Sequence, residues 1–202
     1  MLTKLWAAAG KNKTMKLKPI VRCCLTASFA VLAIVLCGGT NLQAQKAAEL
    51  DKKVDEATAK LFASSDAAKN LAQVAKGILV FPSVKKAGFM VGGQHGEGAL
   101  RVAGKTTGYY KTTAASFGLQ AGAQKFSYAM FFMTDGALDY LKNSKGWEVG
   151  VGPSIVVVDA GVARSLTTST AKESIYVFFF GQKGLMGGLG IQGSKITQFQ
   201  PK

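Results

Sequence analysis

Hydrophobic and polar positions change their rhythm once along this chain, near Gly77. Between Lys46 and Lys76 there is neither Gly nor Pro, and Ala, Lys and acidic residues dominate, a composition that predicts helix. At 100° per residue Leu50, Val54, Ala57 and Leu61 fall within about 60° of arc, forming a narrow apolar stripe. Ser64-Ser65-Asp66 supplies N-cap chemistry and divides the segment into two helices, the second with Ala68, Leu71 and Ala75 on one face.

After Gly77 the chain turns to Gly, β-branched and aromatic residues, and the apolar runs Ile78 to Phe81, Ile155 to Val158 and Ile175 to Phe180 read as strands. One helix interrupts them, Asp135 to Asn143, with Thr134 as its cap and Leu138 and Leu141 facing inward. Small or polar residues recur at every second position in Gly118, Gln120, Gly122 and Gln124, in Gly150 and Gly152, and in Gly188 and Gly190. Period two gathers each set on one strand face, which accommodates a closely approaching backbone, helix or ligand, or a sharp bend; ordinary close packing accounts for it as well. The expected fold is α+β: two N-terminal helices and a strongly curved, mainly antiparallel, barrel-like sheet with one inserted helix.

Ahead of this domain the charge and hydropathy pattern is that of a targeting segment. The basic stretch Met15-Lys16-Leu17-Lys18, with Arg22, precedes a 15-residue apolar run from Cys23 to Cys37, and Leu42-Gln43-Ala44 fits a cleavage site. A bilayer-spanning helix needs about 20 residues, so the run reads as a signal peptide. The expected division is a leader over 1–44 and one domain over 45–202, exported to the periplasm or secreted, with peripheral membrane association. Either Met1 or Met15 fits as the start. A lipid anchor on Cys37 is the alternative, although Leu36 is bulky where the processing peptidase prefers Gly, Ala or Ser.

All three cysteines, Cys23, Cys24 and Cys37, lie in the leader, so the domain has no disulfide or thiolate metal site to draw on. The leader also holds six of the 25 basic residues and none of the 11 acidic ones, leaving 19 against 11 and a net charge of +8 for the domain. That excess favours an anionic partner: lipid headgroups, nucleic acid or a cell-surface polymer.

The passage KGILVFPSVKKAGFMVGGQHGEGAL, Lys76 to Leu100, resembles the opening strands of the SYLF domain family. The similarity continues through SFGLQAGAQ (Ser116 to Gln124), FFMTDGALDYL (Phe131 to Leu141), GWEVGVGPSIVVVDAG (Gly146 to Gly161) and GQKGLMGGLGIQGSKI (Gly181 to Ile196), in the family's order. The resemblance implies a lipid-binding module. Eukaryotic members are associated with phosphoinositide membranes and cortical actin; the leader and the lack of a partner domain set this chain apart from them, so actin is not an expected partner.

In that family membrane contact is attributed largely to an amphipathic N-terminal helix with basic residues. Here Lys46, Lys53 and Lys60 fall near −40°, −60° and −80° from Leu50, beside the stripe of Leu50, Val54 and Leu61, with Asp51 and Asp55 on the other side and Glu49 and Glu56 beyond the lysines. A basic rail along an apolar stripe suits a helix lying among headgroups, its lysine stems buried and its ammonium groups on phosphates. It equally suits a helix packed on its own domain with a solvated rim. Lys85 and Lys86 beside Pro82, and Lys183 before Leu185 and Met186, are read as basic residues near turns, available to phosphates or simply solvated.

Other chemistry finds little to build on. GLGIQG, Gly188 to Gly193, matches the dinucleotide-binding string, yet only nine residues follow it, too few for the helix and strand that the motif requires. His95 and Glu97 could pair on one strand face, but one imidazole and one carboxylate form a thin constellation and complete no common zinc site. Ser116 lacks the strained elbow of an activated nucleophile, and its base would have to be His95. The aromatics sit inside apolar runs, and Arg101 and Arg164 are the only arginines beyond the leader, a poor platform for nucleic acid. The expectation is non-catalytic binding of anionic lipids or membrane surfaces, without cofactor, metal or nucleic acid; the alternative is a periplasmic interaction protein that receives a peptide or envelope polymer on a Gly-rich face.

Overall fold

The computed structural model describes residues 43–89, 91–117, 122–159, 162–163, 166–184 and 193–201. Gln43–Lys202 forms one compact unit. Helix α1 covers residues 43–64, and α2 (Asp66–Ala72) follows after a single residue. Ser65 makes the break: it leaves the helical region, and its hydroxyl accepts from the Ala68 amide at 3.2 Å. That bond satisfies an amide that the first turn of α2 would otherwise leave unpaired. The expected processing site after Ala44 falls at the start of α1.

Eight strands follow: β1 (Gly77–Phe89), β2 (Val91–Val102), β3 (Lys105–Phe117), β4 (Gly122–Phe132), β5 (Trp147–Glu148), β6 (Ile155–Val158), β7 (Ile175–Gly184) and β8 (Lys195–Phe199). Helix α3 (Asp135–Asn143) is inserted after β4, capped by the Thr134 hydroxyl, which accepts from the Ala137 amide at 3.2 Å. The strands form one sheet in the order β5-β8-β3-β2-β1-β4-β7-β6, every pairing antiparallel except β6 with β7. The architecture is thus α+β, and the sheet is a curled half-barrel.

Each sheet face carries a buried core, which is why the strands contain apolar runs such as Ile78 to Phe81 and Ile175 to Phe180. On one face Leu79, Phe81, Val84, Phe126, Tyr128, Met130 and Phe132 pack with Leu138 and Leu141 of α3. On the other, Val80, Ala99, Ala129, Phe131, Tyr176 and Phe178 receive the α1 stripe of Leu50, Val54, Ala57 and Leu61, together with Ala68 and Leu71 of α2.

A bulge in β1 bends the sheet. Its register slips between Val80 and Ser83 against β2, and between Phe81 and Val84 against β4. Pro82 stands at the slip; it has no N–H to give to a ladder. Its carbonyl accepts from the Ser127 hydroxyl at 2.8 Å. Gly98 on β2 makes room, since a Cβ there would lie 2.3 Å from the Val80 carbonyl oxygen and 2.8 Å from the Phe81 ring.

One expectation about small residues changes. Gly150 and Gly152 lie in the connection after β5 at φ of 109° and 96°, so their spacing reflects a turn and not a strand face. Gly118, Gln120, Gly188 and Gly190 lie outside the described residues.

Candidate functional site: a lysine-lined groove

Beyond the bulge the face that carries α1 changes chemistry. Val84 and Phe126 point to the α3 side, so their neighbours Lys85 and Lys125 point to the α1 side. Strand register sets Lys85 of β1 directly opposite Lys125 of β4, and Lys125 directly opposite Lys183 of β7. Directly opposed side chains share a face with Cβ atoms about 5 Å apart, and like charges so placed are destabilising. All three are exposed, and among the described residues none of them is in an ion pair.

Helix α1 supplies the opposite wall. Lys53 and Lys60 join Lys85, Lys125 and Lys183 around a groove of about 710 Å³, in which Glu56 is the only carboxylate among the described residues. Ser83, Ser127 and Phe180 also line it. The bulge at Pro82 therefore builds the site, because it ends the stretch of sheet that α1 covers and turns a polar stretch toward it.

Polar bonds as well as the apolar stripe hold α1 in place. Asp51 accepts hydrogen bonds from the Thr106 hydroxyl at 2.7 Å and the Tyr109 hydroxyl at 2.9 Å, and Arg101 donates to Asp55 at 2.6 Å. The Arg101 side chain is 19% exposed, so the pair with Asp55 is partly shielded from water. Burial, and then Asp51, push the Tyr109 hydroxyl above the usual phenol range.

These contacts reassign several expected site residues. Leu50, Val54 and Leu61 are 8%, 0% and 2% exposed and are committed to the domain's own core, so in this conformation they offer nothing to a bilayer. Lys53 and Lys60 keep their place, now as a groove wall. Lys53 also pairs with Glu49 at 2.7 Å, and its hydrogen bond holds the Glu49 carboxyl below its ordinary value. Lys46 is exposed but borders a separate, smaller pocket with Glu49, Lys53 and Glu97.

Lys85 and Lys86 lie within β1 rather than beside a turn, and Lys183 is the next-to-last residue of β7. Alternation sends Lys86 to the other face, in register between Gln94 and Gln124, away from the row. Leu185 and Met186 lie outside the described residues. The residue that sequence reasoning missed is Lys125, the centre of the row. Its signal was available in the alternation of Phe126, Tyr128 and Met130, which places Lys125 on the opposite face.

The residues considered for catalysis are dispersed. His95 and Glu97 approach to 4.0 Å on β2 with side chains 60% and 52% exposed. Ser116 pairs with Gly92, three positions along β3 from Thr113, the partner of His95; that is about 10 Å along the ladder. Among the described residues no group of three His, Cys, Asp or Glu side chains could hold a metal ion.

The curled sheet, with a helix clamped to one face, thus leaves an open, lysine-lined groove beside that helix. In the comparison with known families, residues 113–201 match the family model described as Ysc84, Las17-binding protein actin regulator, so over that stretch the chain is similar to SYLF-family domains. The family is one of domains that bind lipids and actin regulators. The matched stretch includes Lys125 and Lys183 but neither α1 nor β1. No curated protein matches the chain.

Proposed function

We propose that this domain binds the phosphate groups of anionic lipid headgroups at a membrane surface, reversibly and without chemical turnover, in the groove between α1 and strands β1, β4 and β7. The observation that carries this reading is the row Lys85-Lys125-Lys183: three like charges in register, with no acid paired to them among the described residues. Such a row costs stability in the empty domain and is relieved when phosphates settle between the ammonium groups. The half-open groove lets headgroups approach, and Lys53 and Lys60 meet them from the helix side.

Similarity over residues 113–201 to a family of lipid-binding domains supports the choice of lipid over other polyanions. The short apolar leader run supports export, and hence encounter with a membrane from outside the cytoplasm; N-terminal sequencing of the mature protein tests it, with Gln45 expected first. The lipid reading is tested by titrating the protein with vesicles of phosphatidylglycerol in phosphatidylcholine. Lys125→Gln should weaken binding about fivefold, since a cation near an anionic surface contributes about 1 kcal/mol. Binding that ignores Lys125 would place the membrane contact elsewhere.

A further inference from the structure

His95 is the only histidine of the chain, and strand register places it in the lysine row. It lies directly opposite Lys85 of β1 on one side and Thr113 of β3 on the other. His95, Lys85, Lys125 and Lys183 therefore occupy four adjacent strands, β2, β1, β4 and β7, on a single face.

The charged groups around His95 come from five elements. On its own strand Glu97 lies with its carboxylate 4.0 Å from the imidazole. Lys85 faces it from β1; from β3 comes Lys111, directly opposite Glu97; on β8 Lys195 stands opposite Thr113. From α1, Lys46, Glu49 and Lys53 border Glu97. Toward β8 the charges are balanced, Lys111 against Glu97 and Lys195 against Glu148. Toward β7 they are not. His95 stands where the balanced half ends.

We propose that His95 is a proton-dependent fourth member of the cation row, so that protonation of its imidazole strengthens the domain's hold on an anionic membrane surface. This rests on the groove being the lipid site. Imidazole is the side chain whose ordinary titration falls between about pH 5 and pH 8. The added proton attracts Glu97, yet the net charge of the patch still rises by one. Because 4.0 Å lies well inside the Debye length of about 8 Å at physiological ionic strength, the headgroup layer feels the sum. Linkage then requires that bound anions raise the proton affinity of His95 by the same factor.

The test uses the whole protein and vesicles of phosphatidylglycerol in phosphatidylcholine, whose phosphodiester charge is constant over the range. Between about pH 7.5 and about pH 5.5 wild-type affinity should rise about fivefold, the change that one cation near such a surface provides. His95→Gln should bind at both values as wild type does at the higher one. Glu97→Gln should bind more tightly throughout and keep the rise. A wild type that binds equally at both values, or a His95→Gln protein that keeps the rise, would overturn the inference while leaving the groove intact. Failure of wild type to bind at either value defeats the lipid reading and the inference together.

Discussion

Strands β1, β4 and β7 carry two opposite chemistries on one face. On one side of the Pro82 bulge, Val80, Ala129, Phe131, Tyr176 and Phe178 are buried beneath α1 and α2; on the other, Lys85, Lys125 and Lys183 stand exposed in a line. The covered half is stabilised by removing apolar area from water, worth roughly 25 cal/mol per Å². The open half gains nothing from packing and holds repelling charges at short range. Stability and binding are therefore carried by different stretches of the same strands, and substitutions should separate them.

The sharpest break comes from the covered half. Phe131→Ala removes a ring at 0% exposure that meets Phe178 edge-on with centroids 5.2 Å apart, and should cost about 3–5 kcal/mol of stability, read as a large fall in denaturation midpoint. Leu61→Ala should cost about 2–5 kcal/mol by the same cavity argument, and at temperatures where it remains folded its vesicle affinity should match wild type.

A smaller effect belongs to the clamp between the halves. Asp51→Asn removes the charge that holds the Thr106 and Tyr109 hydroxyls and should cost about 1–2 kcal/mol in chemical denaturation. Burial first, and Asp51 second, raise the Tyr109 hydroxyl above its ordinary value, and burial alone raises those of Tyr110 and Tyr128. A raised folded value means that the associated stability is complete below about pH 10 and drains away as pH climbs beyond it. Wild type should therefore lose stability steeply in alkali, and Asp51→Asn should lose less, because only part of the Tyr109 shift disappears. The smallest effect is expected at Lys86, which faces away from the row: Lys86→Gln should leave vesicle affinity unchanged, where a lysine in the row is worth about 1 kcal/mol.

Elements with a local signature were legible in the sequence. The α1 stripe emerged from spacing alone, and all four of its residues are buried; Thr134 capped its helix as the N-cap chemistry predicted. What spacing left open was the destination of that stripe, because an apolar helix face looks the same whether it meets a sheet or a bilayer. The partners that decide it, Val80, Ala129 and Phe131, lie far away along the chain. The lysine row was hidden for a related reason. Lys85, Lys125 and Lys183 come from three strands, and nothing local states that register brings them level. Pairing Lys85 with its sequence neighbour Lys86 missed the alternation that sends the two to opposite faces. The resemblance to SYLF domains agrees with the family match over residues 113–201 but bypasses the centre of the groove, since the similar segments run from Ser116 to Gln124 and resume at Phe131, stepping over Lys125.

Separation of the lysine row from the core is probed most directly by the triple variant Lys85→Gln, Lys125→Gln, Lys183→Gln in a paired measurement of vesicle affinity and melting temperature. Removal of three surface cations should weaken binding to phosphatidylglycerol vesicles by about 3 kcal/mol, roughly a hundredfold. Loss of three opposed like charges should hold the melting temperature level or raise it slightly. Near wild-type affinity in a folded triple variant would contradict the account.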